Sequence, residues 1–311
     1  MGEDSFLAIK REAPSLKDVV VVIPAYNEEQ VIAATVARAL AVSREWRILV
    51  IDDGSEDQTA EEARKAGAEV ISHSYNMGNG AAVKTALRRV QAPVMAILDA
   101  DGQLPPEVLP EMVKRLVHAD MVVGSRINQK EVSRFRSFGN WLLRRISSHV
   151  SGHFIPDLTC GLRVFYRERC QEFFHLYPSR FSFPSTSTLA FLTCDYRVEF
   201  YPIEARMRPV GTKSKIKPWQ DGLQFLAIIL RIVLLFRPYR VFIPLSIGFF
   251  LVGLSHQIFI LFLPYNYGRL VMSGTFITMS ISALFLFCFG LLAQQIAELR
   301  IHLSQISRNK D

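Results

Sequence analysis

Residues 241–297 carry a single formal charge, Arg269, downstream of more than two hundred residues of ordinary charged sequence. Two segments within this stretch, 241–263 and 270–292, each reach the roughly 20 residues a helix needs to cross a hydrocarbon layer. The link between them, 264–269, is short enough for a helical hairpin. Arg237 and Arg240 precede the first span, and Arg300, Arg308 and Lys310 follow the second. The positive-inside rule therefore predicts an integral, multi-pass membrane protein with both ends, and the polar half of the chain, on the cytoplasmic face. Residues 223–236 are apolar apart from Gln224 and Arg231 and end at Arg237-Pro238. Too short to span, this segment is expected to lie at the interface, entered at Trp219.

The polar half alternates between two periodicities. Residues 19–23, 47–51, 69–73 and 94–98 are short apolar runs rich in β-branched residues, and 28–42, 57–66 and 80–90 carry apolar residues at helical spacing. A βαβ series follows, with a fifth strand at 121–124 running into Ser125 and Arg126. The expected fold class is α/β, a Rossmann-like mixed sheet with flanking helices, followed by the interfacial segment and a two-helix hairpin. The expected divisions are 1–217, 218–238 and 239–311. The first residues, 1–17, are polar without an apolar h-region, so no cleaved secretory signal is expected.

Ligands bind such sheets beyond the carboxyl ends of the strands, and the polar clusters 24–29, 52–57 and 99–103 fall there. Asp99-Ala100-Asp101-Gly102-Gln103 suits a hard divalent cation, Mg²⁺ or Mn²⁺, held by few carboxylates with positions left for phosphate oxygens. Asp101 is the expected primary ligand and Gln103 can add an amide oxygen; Asp99 either ligates or contacts a ribose. Alone, a D-x-D run also serves as a turn cap. In Asp52-Asp53-Gly54-Ser55, acidic side chains can accept hydrogen bonds from ribose or a base edge, while Ser55 or Asp57 can cap the next helix. Asn76-Met77-Gly78-Asn79-Gly80 is not G-x-G-x-x-G and does not support a dinucleotide cofactor.

Taken in order, the I-P-A-Y-N-E-E run from Ile23, D-D-G-S from Asp52, N-x-G-x-G-A-A from Asn76 and D-A-D-G-Q from Asp99 resemble glycosyltransferase family 2, with its GT-A fold. V-G-S-R ending at Arg126, D-L-T-C-G-L-R from Asp157 to Arg163, and G-T-K-S-K from Gly211 are similar to its polyprenyl-phosphate group. The resemblance implies inverting transfer of one sugar from a UDP- or GDP-linked donor to a polyprenyl (dolichyl or undecaprenyl) phosphate. Carried over, Pro24, Tyr26, Glu28, Asp53 and Asp99 hold the nucleotide sugar, and Asp99, Asp101 and Gln103 hold the metal. Arg126, Arg136, Asn140, Arg206 and either Lys213 or Lys215 surround the phosphates. Asp101, Arg126 and Asp157 are the expected catalytic residues, Asp157 orienting an arginine or the sugar hydroxyls or acting as a base. A polysaccharide synthase or a non-catalytic scaffold of the same fold are the alternatives.

The net charge of +7 is concentrated in two runs, 126–145, relieved only by Glu131, and 206–217, which holds no acid. No nucleic-acid-binding motif accompanies them, so anionic head groups or a lipid phosphate are the expected partners. Cys160, Cys170, Cys194 and Cys288 have no C-x-x-C pairing and read as packing residues. His149 and His153 lie four apart, but Gly152 interrupts them and no third metal ligand is suitably spaced. Two spans do not build a full lipid-binding bundle, so a homo-oligomer is compatible with the chain.

Overall fold

The computed structural model describes residues 12, 14–127, 134–179, 183–206, 234, 237–262 and 272–308, leaving aside the side chains of 134–140, 143, 150 and 300–308. Two compact units emerge: Met1–Arg145 with His153–Gly222, and Ile146–Gly152 with Leu223–Asp311.

In the first unit, β1 (Val19–Ala25), β2 (Arg47–Asp52), β3 (Glu69–Ser72), β4 (Val94–Ile97), β5 (Met121–Arg126), β6 (Arg163–Tyr166) and β7 (Val198–Ile203) form one seven-stranded sheet. Its order is β3-β2-β1-β4-β6-β5-β7. β1 and β4 are buried along their whole length, as strands covered by helices on both faces must be. The helices of this unit include α1 (Ile32–Val42), α2 (Thr59–Lys65), α3 (Asn79–Arg89), α4 (Leu109–Arg115), α6 (Arg167–Glu172) and α7 (Phe183–Thr193), while α5 (Arg134–Ser151), which follows β5 in the chain, is divided between the two units. The first four strands run parallel; β6 is antiparallel to both β4 and β5, with Arg163 opposite Ile97 and Val123. This reversal positions the site. It brings the chain entering β6, residues 157–162, to the edge where β4 and β5 end, and parallel β7 delivers Arg206 to that edge as well.

Several expected boundaries move by two residues or more. The helix expected from residue 28 starts at Ile32, because Asn27 takes a left-handed backbone (φ 52°) and residues 28–31 form a turn. β5 runs on to Arg126. A further helix, α7, carries a hydroxyl-rich first half, in which Ser185, Thr186, Ser187 and Thr188 are all buried.

In the second unit, helices Tyr239–Leu261 and Gly274–Arg308 pack closely, and two helices, Tyr239–Leu261 and Gly274–Leu299, are long and apolar enough to cross a membrane. Small residues set their approach. A Cβ on Gly253 would lie 2.8 Å from the Met279 Cβ, and one on Gly290 2.7 Å from the Phe242 Cβ. Ser246 Oγ donates to the Ala283 carbonyl at 2.7 Å. His256 meets the second helix's entry, its Nδ1 3.5 Å from Ser273 Oγ. The expected link at 264–269 and nearly all of the expected interfacial segment lie outside the described residues.

Candidate active site

The first two motifs are laced together at the carboxyl ends of β1 and β2. Pro24 is buried in β1 opposite Ile51. Beyond Tyr26, the Asn27 N–H donates to Ser55 Oγ (2.9 Å), Glu28 N–H to Thr59 Oγ1 (2.8 Å) and Glu29 N–H to Asp57 Oδ2 (3.2 Å). Asn27 Oδ1 accepts in return from Glu56 N–H at 2.9 Å. Asp57 accepts the Thr59 N–H at the start of α2 (3.0 Å), but the N-cap of that helix is Gln58 and no side chain caps it; Ser55 serves the neighbouring motif, so neither expected cap forms.

Asp53 is buried, and its carboxylate gathers the third motif. Oδ1 accepts from Met77 N–H (3.0 Å) and lies 2.7 Å from His73 Nδ1; Oδ2 accepts from Gly78 N–H at 2.6 Å. His73 Nε2 is 2.9 Å from Thr85 Oγ1 on α3. A carboxylate only accepts, so the His73 proton sits on Nδ1. Gly54 takes φ 71°, and any Cβ there would strike the Tyr75 backbone. The glycine-rich loop is thereby fixed against the end of β2.

At the end of β4, Asp99 rests on Gly161. The three atoms nearest a Cβ built on Gly161 are Asp99 Oδ1, Oδ2 and Cγ, all inside van der Waals contact. Only glycine leaves this cradle for the carboxylate. Asp101 Oδ1 accepts from Gln103 N–H at 3.1 Å across Gly102 (φ 72°). Among the described residues no group of three or more His, Cys, Asp or Glu could hold a metal. A cation here would rest on the two aspartates and the Gln103 amide, completed by ligand oxygens; this hard, sparse oxygen set and the cradled Asp99 fit Mg²⁺ or Mn²⁺.

Arg126 and Asp157 form a largely buried, two-pronged ion pair, Nε to Oδ2 at 2.7 Å and Nη2 to Oδ1 at 3.0 Å. Arg126 Nη2 also donates to Thr159 Oγ1 at 2.8 Å. Asp157 further accepts from the N–H groups of Arg126 (3.3 Å), Thr159 (3.1 Å) and Cys160 (3.2 Å). Burial pushes the Asp157 carboxyl up, but the hydrogen bonds and charge of Arg126, with those N–H groups, outweigh it and hold it below the usual carboxylate range. Burial likewise opposes the Arg126 charge, and Asp157 more than restores it. Both groups are ionised and mutually oriented. Arg126 Nη1 is the guanidinium nitrogen these contacts leave to a ligand.

Of the other expected phosphate ligands, Arg206 reaches the acidic loop, its N–H donating to the Gln103 carbonyl at 2.8 Å. Arg136 and Asn140 occupy α5, with side chains outside the described residues, as are Lys213 and Lys215 entirely. His149 lies in α5, which ends at Ser151, and Gly152 takes φ 78°. Burial raises the Cys160 and Cys170 thiols to about 12, so both are packing groups.

Sequence reasoning missed Arg163, fully buried at the head of β6. Its guanidinium donates to the Cys160 carbonyl (2.5 Å), the Pro184 carbonyl (2.8 Å) and Ser187 Oγ (2.6 Å). The hydroxyls of α7 are thus the polar socket for a buried cation. Burial pulls the Arg163 pKa below its ordinary value. Gly161, Thr35 and Arg38 were missed too, because close approach between distant segments leaves no mark in spacing.

Glycosyl transferase family 2 matches residues 20–174, and the GtrB C-terminal hairpin matches residues 237–299. Over 177 residues the chain is 33% identical to undecaprenyl-phosphate 4-deoxy-4-formamido-L-arabinose transferases of Salmonella paratyphi A and Salmonella dublin, covering 52% of this chain and 54% of theirs. The chain thus spans about half the length of these curated relatives. Glucosyl-3-phosphoglycerate synthase from Mycobacterium tuberculosis is similar in structure. Its complex with Mn²⁺, UDP and phosphoglyceric acid gives a TM-score of 0.54 at 17% identity, covering 69% of this chain and 77% of that one. Its complex with Mg²⁺ and UDP gives 0.52 at 18% identity, covering 69% and 78%. At these identities the likeness speaks for the fold alone. The mixed sheet with its motif-bearing edge and the two matched segments lead to one assignment: the chain carries a glycosyl transferase family 2 domain with a GT-A-type sheet over residues 20–174 and a C-terminal hairpin of the GtrB kind over residues 237–299.

Proposed function

We propose that this chain transfers one sugar, with inversion, from a nucleotide diphosphate sugar to a polyprenyl phosphate at the cytoplasmic face of a membrane. The observation that carries the reading is the oriented Arg126–Asp157 pair at the sheet edge that also bears Asp99 and Asp101. The likeness to the Salmonella undecaprenyl-phosphate transferases and the hairpin match support the lipid acceptor. The UDP complexes of the structural neighbours support a nucleotide-linked donor.

A phosphomonoester with a second pKa near 6 is largely a dianion at neutral pH, so it attacks the anomeric carbon without a protein base. Asp157 accordingly acts as a positioning residue: its oxygens are taken up by Arg126 and three N–H groups, and it holds the guanidinium toward the acceptor phosphate. Asp53 shapes the nucleotide wall, Pro24, Tyr26 and Glu28 line it, and Arg206 faces the pyrophosphate. Arg136, Asn140 and either Lys213 or Lys215 complete the anion site. A divalent cation held by Asp99, Asp101 and Gln103 would neutralise the departing nucleoside diphosphate. Residues 1–217 form the catalytic part, 218–238 lie at the interface and 239–311 anchor the chain in the bilayer, an arrangement compatible with a homo-oligomer.

Purified protein in detergent, given a panel of radiolabelled UDP- and GDP-sugars, polyprenyl phosphate and Mn²⁺, tests this reading. A chelator-sensitive, acid-labile monoglycosyl lipid is the expected product. Sugar incorporated into a longer polymer, or none from any donor by folded protein, would overturn it.

A further inference from the structure

The acidic loop that follows β4 does not hold its shape alone. α1 offers it two side chains from a single face, three residues apart. The Thr35 hydroxyl, buried, lies 3.1 Å from the carbonyls of both Val31 and Ala100, and its one proton is shared between them. Arg38 Nη1 donates to the Gly102 carbonyl at 3.1 Å. The rest of that guanidinium is engaged by Glu107, with Nη2 3.1 Å from both carboxylate oxygens. Glu107 also takes Arg206 Nη2 at 3.4 Å, and the Arg206 N–H holds the Gln103 carbonyl. The carbonyls of Ala100, Gly102 and Gln103, on both sides of Asp101, are therefore pinned by donors from outside the loop. The Ala100–Asp101 peptide is thereby held directly, and the backbone beyond Asp101 is held at the Gly102 and Gln103 carbonyls.

We infer that Thr35 and Arg38 are positioning residues that present Asp99 and Asp101 to a divalent cation, a role that rests on the reading of those aspartates as its ligands. Arg38 acts by geometry. Its fork spans Glu107 and the Gly102 carbonyl at once, which a lysine's single ammonium cannot. Glu107 serves as its anchor and keeps Arg206 over the loop, and burial, which pushes the Glu107 carboxyl up, is outweighed by a backbone hydrogen bond and by Arg38 and Arg206, so that it stays ionised.

Mn²⁺ binding to the full-length protein in detergent, read from loss of the free-ion electron paramagnetic resonance signal with UDP or GDP present, tests this directly. Groups that orient metal ligands typically change affinity by 10- to 100-fold, so Arg38→Gln and Arg38→Lys should each weaken Mn²⁺ binding by roughly 10-fold. Thr35→Val, which keeps the side-chain shape, should do so in the same direction. Glu107→Gln, which keeps an acceptor for Arg38, should stay within about threefold of the parent. Asp101→Asn is measured alongside. If it abolishes Mn²⁺ binding while folded Arg38→Gln and Arg38→Lys bind like the parent, the inference fails and the metal site stands. If Asp101→Asn binds like the parent, the metal-site reading fails and the clamp's proposed role falls with it. If instead Glu107→Gln weakens binding by roughly 10-fold while Arg38→Lys binds like the parent, net charge matters and not the fork, which also overturns the inference.

Discussion

Gly161→Ala tests the cradle under Asp99 with one added methyl group. The nearest three atoms to the new Cβ all belong to the Asp99 carboxyl group, closer than the 3.0 Å that Cβ contacts essentially never breach. These atoms are the end of a side chain, not backbone. The collision is therefore relieved by swinging the carboxylate away by roughly 1 Å, the shift that restores van der Waals separation. Overpacking costs about 1–3 kcal/mol when a core must move; with a partly exposed aspartate yielding, the lower end applies. The functional penalty is larger. A misplacement of about 1 Å at a reacting centre costs on the order of 10²-fold in rate, equivalent to about 2.7 kcal/mol of transition-state stabilisation. Gly161→Ala should accordingly lose roughly 100-fold in transfer rate and bind Mn²⁺ more weakly, while its thermal unfolding midpoint falls by only a few degrees. Gly248→Ala, with nothing within 4 Å of its added Cβ, is the matched control. Parent-like turnover and Mn²⁺ affinity in Gly161→Ala would refute both the cradle and the role of Asp99.

Asp157→Ala leaves Arg126 buried without its partner and should cost about 3–5 kcal/mol at pH 7. Because the Asp157 pKa is held low in the folded protein, that contribution is complete above the unfolded value of about 3.9 and is lost as pH falls through the folded one; thermal unfolding at pH 7 and in acid should show parent and variant converging below about pH 4. Asp53→Ala orphans the N–H groups of Met77 and Gly78 and the His73 ring, at about 1–3 kcal/mol per buried group; proteolysis within residues 75–80 and a raised KM for the donor are expected, and an unchanged KM would remove Asp53 from the nucleotide wall. Gly253→Leu should separate the hairpin helices, read as a several-fold drop in disulfide yield between Ser246→Cys and Ala283→Cys; undiminished cross-linking would mean that Gly253 does not set the packing.

How much was legible follows physical lines. β1, β2 and β4 announce themselves because strands buried on both faces need unbroken β-branched runs, and the acidic clusters lie where such strands end. β6 hides because it has four residues, begins with an arginine and runs against its neighbours. β7 is an edge strand carrying Glu199 and Pro202, tolerated only because Pro202 needs no partner on its open side. The socket of Arg163 was unreadable for a different reason: a hydroxyl-rich segment looks solvent-facing until the buried cation it serves is known. Asp99, Asp101 and Arg126 are legible as candidates from motif order alone. The pairing of Arg126 with Asp157, 31 residues on, and of Arg38 with the Gly102 carbonyl, 64 residues on, belongs to the fold.

The neutralised arginines change how an anion would experience this surface. In the sequence, Arg126 opens a basic run; in the fold its charge is cancelled at close range by Asp157, and Glu107, shared by Arg38 and Arg206, offsets one of their two charges. At distances beyond a Debye length, roughly 8 Å in physiological salt, such pairs project little field. These paired groups therefore add little to long-range steering of a dianionic ligand, which falls to the other cations of the two basic runs. Within hydrogen-bond reach the guanidinium is already turned and needs no reorganisation, so selectivity is exercised after arrival, in how long the anion stays.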